Sequence, residues 1–199
     1  MVPTGLGARY AVGANTAGTG WLSIEVAARP TVTGVSPRLG PVGGGRTVTI
    51  TGTGLTDATS VRFGTTTATH VQRVSSTTLT ARTPAHSAGR VDVRVTSPAG
   101  TSPSVKADGY TYLKVPALTS LSPKSGPTGG GTTVTILGFR FTSVSKVLFG
   151  ASRGTHVAVT SSTKITVRAP AHGKGTVDVR VTTPGGTSAR VQADRYTYR

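Results

Sequence analysis

Ser36-Pro37-Arg38-Leu39-Gly40-Pro41-Val42-Gly43-Gly44-Gly45-Arg46-Thr47-Val48-Thr49-Ile50-Thr51-Gly52 decides the fold, and a second version follows as Ser122-Pro123-Lys124-Ser125-Gly126-Pro127-Thr128-Gly129-Gly130-Gly131-Thr132-Thr133-Val134-Thr135-Ile136-Leu137-Gly138. Each version is a Pro- and Gly-rich lead that runs into a period-two strand. Pro fixes φ and Gly permits positive φ, so the chain turns sharply before it pairs. Val48 and Ile50 are placed on a core, with Thr47, Thr49 and Thr51 outward. The spacing from Gly40 to Thr47 also mimics a phosphate loop. Such a loop needs Lys before the Thr and a helix after it, to bring an ammonium and a helix N-terminus onto phosphates. Here Arg46 or Thr132 stands in the lysine slot and a strand follows. The stretch reads as a turn.

Working outward, residues 30–113 align with 116–199 at a constant offset of 86 without a gap, with about 46 identities in 84 positions. The landmarks repeat in order. Phe63-Gly64 matches Phe149-Gly150, and Pro84-Ala85-His86 matches Pro170-Ala171-His172. Val91-Asp92-Val93-Arg94-Val95-Thr96 matches Val177-Asp178-Val179-Arg180-Val181-Thr182, and Tyr110-Thr111-Tyr112 matches Tyr196-Thr197-Tyr198. A period this long fits two whole domains in tandem better than a solenoid. In the first copy seven short strands are predicted, at 31–35, 47–51, 60–63, 68–74, 78–82, 90–96 and 110–113, a number typical of immunoglobulin-like sandwiches. No helical period longer than about a turn is present. Lys114-Val115, stiffened by Pro116, is a very short linker, which predicts restricted bending between the copies.

Residues 1–29 are unlike the rest. Arg9-Tyr10-Ala11-Val12 and Trp21-Leu22-Ser23-Ile24-Glu25-Val26 are read as a hairpin, docked on the first copy or left from a truncated preceding domain. They contain no basic segment followed by an apolar run, so no signal peptide is visible. No apolar segment reaches the roughly 18 residues of a membrane span. The chain either begins in the cytoplasm or is a piece of a longer secreted protein. The second alternative is preferred, with an extracellular or cell-surface location.

The ordered motifs are S-P-x-x-G-P-x-G-G-G-x-T-V-T-I-x-G, V-x-F-G, T-P-A or A-P-A, V-D-V-R-V-T, P-x-G-T-S and Y-T-Y. In combination they resemble the IPT/TIG family, the immunoglobulin-like modules of plexins and transcription factors. The resemblance covers 30–199. It implies two tandem early-set β-sandwiches without the antibody-type disulfide, and it brings no family-wide catalytic residues. The family's usual Phe after the first Gly corresponds to Leu55 in one copy and Phe141 in the other.

Charge and reactive side chains narrow the function. With no cysteine, disulfides and thiolate metal sites are excluded. The acids number six: Glu25, Asp57, Asp92, Asp108, Asp178 and Asp194. Asp92 and Asp178 sit in strands, pointing away from the valines, and Asp92 has Arg90 and Arg94 two residues to either side. That suggests a solvated face rather than calcium or acid–base chemistry, which needs converging oxygens. His70, His86, His156 and His172 are two positions repeated, too few per copy for zinc without cysteine. No G-x-S-x-G elbow is present. The reading is a non-enzyme with no cofactor, no metal and no small-molecule substrate.

Lys and Arg total 22, giving a formal net charge of +16, of which the first copy carries +5 and the second +9, while residues 1–29 and Lys114 add +1 each. Such a field favours polyanions. The bases are scattered, however, and lack the exposed aromatics or groove-sized helix of nucleic-acid readers. If an anionic glycan or polymer has a site, the candidates are Lys164, Arg168, Lys174, Arg180 and Arg190. A second candidate surface is Phe139-Arg140-Phe141, where strand alternation predicts both rings on one face. The function reading is a spacer or interaction module of a larger surface or secreted bacterial-type protein. It would engage other protein modules or cell-surface polymers, without specific nucleic acid. The alternatives are a binder of anionic polymer or glycan and a virion or assembly structural protein.

Overall fold

The computed structural model describes residues 28–199, together with the backbone of two further strands, Arg9–Val12 and Leu22–Glu25. Those two pair antiparallel, with Arg9 opposite Glu25 and Val12 opposite Leu22. The docking expected of Leu22, Ile24 and Val26 concerns side chains outside the described residues. Among the described residues every regular element is a strand, apart from the single-turn 3-10 helices Lys106–Asp108 and Gln192–Asp194.

Each copy is a sandwich of two sheets. In the first copy one sheet orders Thr31–Ser36, Thr47–Thr53, Thr78–Arg82 and Thr69–Ser75. The facing sheet orders Leu39–Pro41, Gly109–Leu113, Gly89–Ser97, Ser60–Phe63 and Thr66–Thr67, with Gly100–Thr101 added on Gly89–Ser97. The second copy repeats this. One sheet is Ala117–Ser122, Thr133–Phe139, Lys164–Arg168 and Thr155–Ser161. The other is Ser125–Gly126, Arg195–Tyr198, Gly175–Thr183, Lys146–Phe149 and Ser152–Arg153, with Gly186–Thr187 beside Gly175–Thr183.

Alternation places the cores. Val48 and Ile50 are buried between Thr47, Thr49 and Thr51, and Val134 and Ile136 repeat the pattern. Val93 and Val95 pair with Phe63 and Val61 across the facing sheet. Tyr110 and Tyr112, two residues apart, both turn inward, and the Tyr110 ring meets Phe63 edge-on at 5.2 Å. Tyr196 meets Phe149 in the same way. Dispersion and burial of these rings and aliphatic chains hold each sandwich without a covalent cross-link.

The opening stretch is a turn, as its composition predicts, but with a strand folded into it. Leu39–Pro41 pairs parallel with Gly109–Leu113, Leu39 lying opposite Thr111. Gly44 and Gly45 then take φ of +68° and +78°. At Gly44 any side chain would run into the Thr83 and Pro84 backbone, and the Gly45 amide donates to the Thr83 carbonyl at 2.7 Å. The next residues form a strand that pairs with Thr78–Arg82, so no helix N-terminus faces the glycines.

Candidate interaction site

The strand Thr133–Phe139 buries Val134, Ile136 and Gly138 and turns Thr133, Thr135, Leu137 and Phe139 outward. Leu137 is 43% exposed and Phe139 54% exposed. In the first copy the same two places hold Thr51 and Thr53, also exposed, and Thr53 shares a hydroxyl–hydroxyl hydrogen bond with Thr31 at 2.8 Å. The two sandwiches are built alike. The second therefore has a branched chain and an aromatic ring where the first has two hydroxyls on one outer face. Leu137 lies opposite Ser120 on one neighbour and Lys164 on the other, and Phe139 lies opposite Ala117. Thr135 faces Thr166, and Thr133 faces Arg168. The result is an apolar pair with basic residues along one flank.

Phe141 is not part of this face. The expectation that it shares a side with Phe139 required unbroken alternation, and Arg140 breaks it with φ of +62°. The left-handed residue reverses the chain's course, so Phe141 drops into the core with 1% exposure among Leu118, Ile136 and Val147. A side chain at Gly138 would collide with its ring. Leu55 occupies the same core position in the first copy, fully buried. There the left-handed residue is Gly54, with φ of +64°. Glycine adopts this region freely, whereas a side-chain-bearing residue gives up about 1–2 kcal/mol to do so. At Arg140 the second copy carries that cost, and the side chain is exposed.

Phe139 and Arg140 edge a cleft of about 450 Å³ whose lining also includes Lys114, Thr142, Ser162 and Thr163. The turn that carries Ser162 and Thr163 is tied to the strand, because Gly138 and Phe141 donate their amides to the Thr163 and Ser162 carbonyls at 3.0 and 2.9 Å. Lys114 is set by Gly185, where any side chain would run into the Lys114 carbonyl; the first copy has Ala99 at that place. All of these residues belong to the compact unit that includes 111–199.

The five basic candidates are divided. Lys164 and Arg168 flank the buried Ile165 and Val167, and so point outward from the four-stranded sheet. Arg180 lies on the other sheet, where its Nε donates to the Ser188 carbonyl at 2.9 Å and Nη2 donates to the same oxygen. Arg190 pairs with Asp178 at 3.2 Å. Lys174 is exposed on the loop before Gly175–Thr183. Two of the five are thus already occupied, and the set spans both outer faces of the sandwich.

The carboxylates and histidines take structural positions. Asp92 pairs with Arg90 at 3.3 Å and accepts from the Ser104 hydroxyl. His86 and His172 stack on Tyr112 and Tyr198 with ring centres 5.0 Å apart. Their Nδ1 atoms lie 2.9 and 2.8 Å from the Ser87 and Gly173 carbonyls, so Nδ1 carries the donated proton. His70 and His156 are exposed, with φ near 50° on the bulged outer strands. Among the described residues no three His, Asp or Glu side chains gather as a metal site.

Sequence reasoning gave no role to Asp108 and Asp194, which are fully buried. Each carboxylate accepts from the backbone amide three residues earlier, Val105 at 2.9 Å and Val191 at 3.0 Å, closing its own 3-10 turn. Burial pushes both carboxyls above the ordinary range, and the amide bonds pull the other way. The repeated Val-x-Ala-Asp was the available signal. Ser102 and Ser188 are likewise buried, accepting the Val95 and Val181 amides at 3.0 and 3.1 Å.

Comparison with known proteins accounts for the architecture. The family model of the IPT/TIG domain matches residues 30–112 and again 116–198. Human Fibrocystin-L is 30% identical over 158 residues, a match covering 78% of this chain and 4% of that protein. Among solved structures, the full extracellular region of plexin A4 is similar at 21% identity and a TM-score of 0.58, over 94% of this chain and 17% of that one. A second crystal form of the same plexin region gives a TM-score of 0.56 over 20% of its chain. The chain therefore spans a small part of the relatives it matches, and at this identity the plexin likeness concerns fold alone.

Proposed function

The chain belongs to the IPT/TIG family, and from that premise we propose that it is a non-enzymatic interaction module of a larger cell-surface or secreted protein, making protein–protein contact through the Leu137–Phe139 face of its second copy. The observation that carries this reading is the pair of exposed apolar side chains where the otherwise matching first copy keeps threonines. Covering the half-exposed ring of Phe139 would contribute roughly 1 kcal/mol, enough to make it an anchor among weaker polar contacts. The flanking Lys164 supplies charge that favours orientation and encounter more than affinity. The plexin likeness is to an extracellular region, and the proposal extends that location to this chain.

A benzophenone side chain placed at Thr163 or at its counterpart Thr77, followed by irradiation in contact with intact cells or their secreted proteins, tests the reading. A protein adduct is expected from position 163, with little from position 77, and it should disappear with Leu137→Thr and Phe139→Thr together. Equal adducts from both positions would remove the basis for the second copy's special role. The net charge of +16 supports a second reading, attraction to anionic polymers. On that reading the field is diffuse, because the candidate bases lie on both outer faces.

A further inference from the structure

We propose that the cleft beside Phe139 receives a peptide segment in which an apolar side chain stands next to a carboxylate. The apolar group lies on the Phe139 ring and the carboxylate between Arg140 and Lys114. The inference rests on the protein-contact reading and names the chemistry of the partner.

The first support is the sister copy, which is a built-in reference. At the positions of Phe139 and Arg140 it has Thr53 and Gly54, at Ser143 it has Asp57, and just ahead of it Ala28 stands where Lys114 precedes the second copy. Each difference moves the second copy in one direction: toward a ring, toward positive charge and away from a carboxylate. Arg140 is held in the same left-handed conformation that Gly54 adopts, so the guanidinium is kept against the backbone preference. A residue retained at such a cost is expected at a working surface.

The second support is charge. Among the described residues the ion pairs are Arg90 with Asp92 and Asp108, and Arg190 with Asp178. None of them involves Arg140 or Lys114, and no acid lines the cleft. Arg140 makes one long bond, from Nη1 to the Val115 carbonyl at 3.5 Å, which leaves most of its planar donor set for a carboxylate.

The lining also bears on the ligand. Vicinal sugar hydroxyls are best met by carboxylates or carboxamides, which accept and orient them, and none lines this cleft. This cleft offers a phenyl ring, two cations and the hydroxyls of Thr142 and Ser162. Those groups match an apolar side chain, a carboxylate and a peptide backbone.

The test is a titration of the isotope-labelled full chain, followed by amide NMR, with the blocked peptide acetyl-Gly-Leu-Glu-Gly-amide. Saturable shifts are expected at Lys114, Phe139, Thr142 and Thr163, with a dissociation constant in the millimolar range. Replacing the probe's Glu by Gln should weaken binding about tenfold, the loss of one charge-assisted contact. Phe139→Thr with Arg140→Gly should abolish the shifts while leaving the remaining spectrum in place, because the first copy folds with those residues. Shifts that do not saturate and spread over all basic residues would overturn the inference, as would undiminished binding by the double variant. Saturation of the same amides by a heparin tetrasaccharide, with none by the peptide, would overturn it in favour of an acidic glycan. Adducts at position 163 without peptide binding would overturn this inference and leave the contact reading standing. Peptide binding without adducts would do the reverse.

Discussion

Truncating Phe141 to Ala should cost the second sandwich about 3–5 kcal/mol, the range for a large aromatic removed from a packed core. The structure puts the site in that range: Phe141 is 1% exposed and packed in the cluster that contains Leu118, Ile136 and Val147. A domain of this size has roughly 5–15 kcal/mol of total stability, so the loss is a large fraction of it. At about 4–8 °C per kcal/mol for a small domain, the transition should fall by about 12–40 °C. Phe141→Leu imports the first copy's buried residue, leaves a smaller cavity and should cost less than the alanine truncation. Phe139→Ala, by contrast, removes a ring that is 54% exposed and should cost only about 1 kcal/mol. Scanning calorimetry of the full chain measures all three, with the first sandwich as an internal reference. Similar losses at 139 and 141, or a larger loss at 139, would refute the inward turn of Phe141 and with it the separation of the two rings.

Three further outcomes follow from the same structure. Burial raises the Asp194 carboxyl, so the folded state keeps a proton that the unfolded chain releases, and this group's contribution to stability falls as pH rises from the ordinary carboxylate range through the raised folded value. Asp194→Asn keeps an acceptor for Val191, and its stability relative to the native chain should grow as pH rises above the ordinary carboxylate range; a pH-independent difference would count against the raised carboxyl. Residues 30–114 and 115–199, expressed separately, should each melt cooperatively, and failure of both would move the boundary between the copies. Neutralising Lys164, Arg168, Lys174, Arg180 and Arg190 should weaken retention on heparin no more than neutralising Arg9, Arg29, Arg38, Arg46 and Arg73, with equal change in salt slope. A larger loss from the first set would indicate a polyanion site there.

The sandwich was legible because its core positions alternate. Val48, Ile50, Val134 and Ile136 stand between threonines, and that local pattern survives into the folded sheets. Tandem organisation was legible because the gapless offset keeps every landmark in order. The pairing of Leu39–Pro41 was not, since its partner lies some seventy residues away and proline obscures a strand pattern. Phe139 stood out as a position where the copies differ, but its separation from Phe141 turned on the backbone at Arg140. Gly54 was the signal, a glycine in the matching place that marked a left-handed residue. The occupation of Arg180 and Arg190 by Ser188 and Asp178 depends on neighbouring segments, which charge counting does not resolve. The burial of Asp108 and Asp194 was not legible, because a 3-10 turn that buries its own cap leaves only a short polar pattern.

Exchanging the two faces tests most directly the claim that a few outward side chains, and not the shared scaffold, carry the contact. In the exchanged chain Thr51, Thr53 and Gly54 become Leu, Phe and Arg, while Leu137, Phe139 and Arg140 become Thr, Thr and Gly. Photo-adducts are then collected from position 77 and from position 163 and compared with those of the native chain. The account predicts that the protein adduct moves from 163 to 77 with the exchanged residues. An adduct that stays at 163 would contradict it.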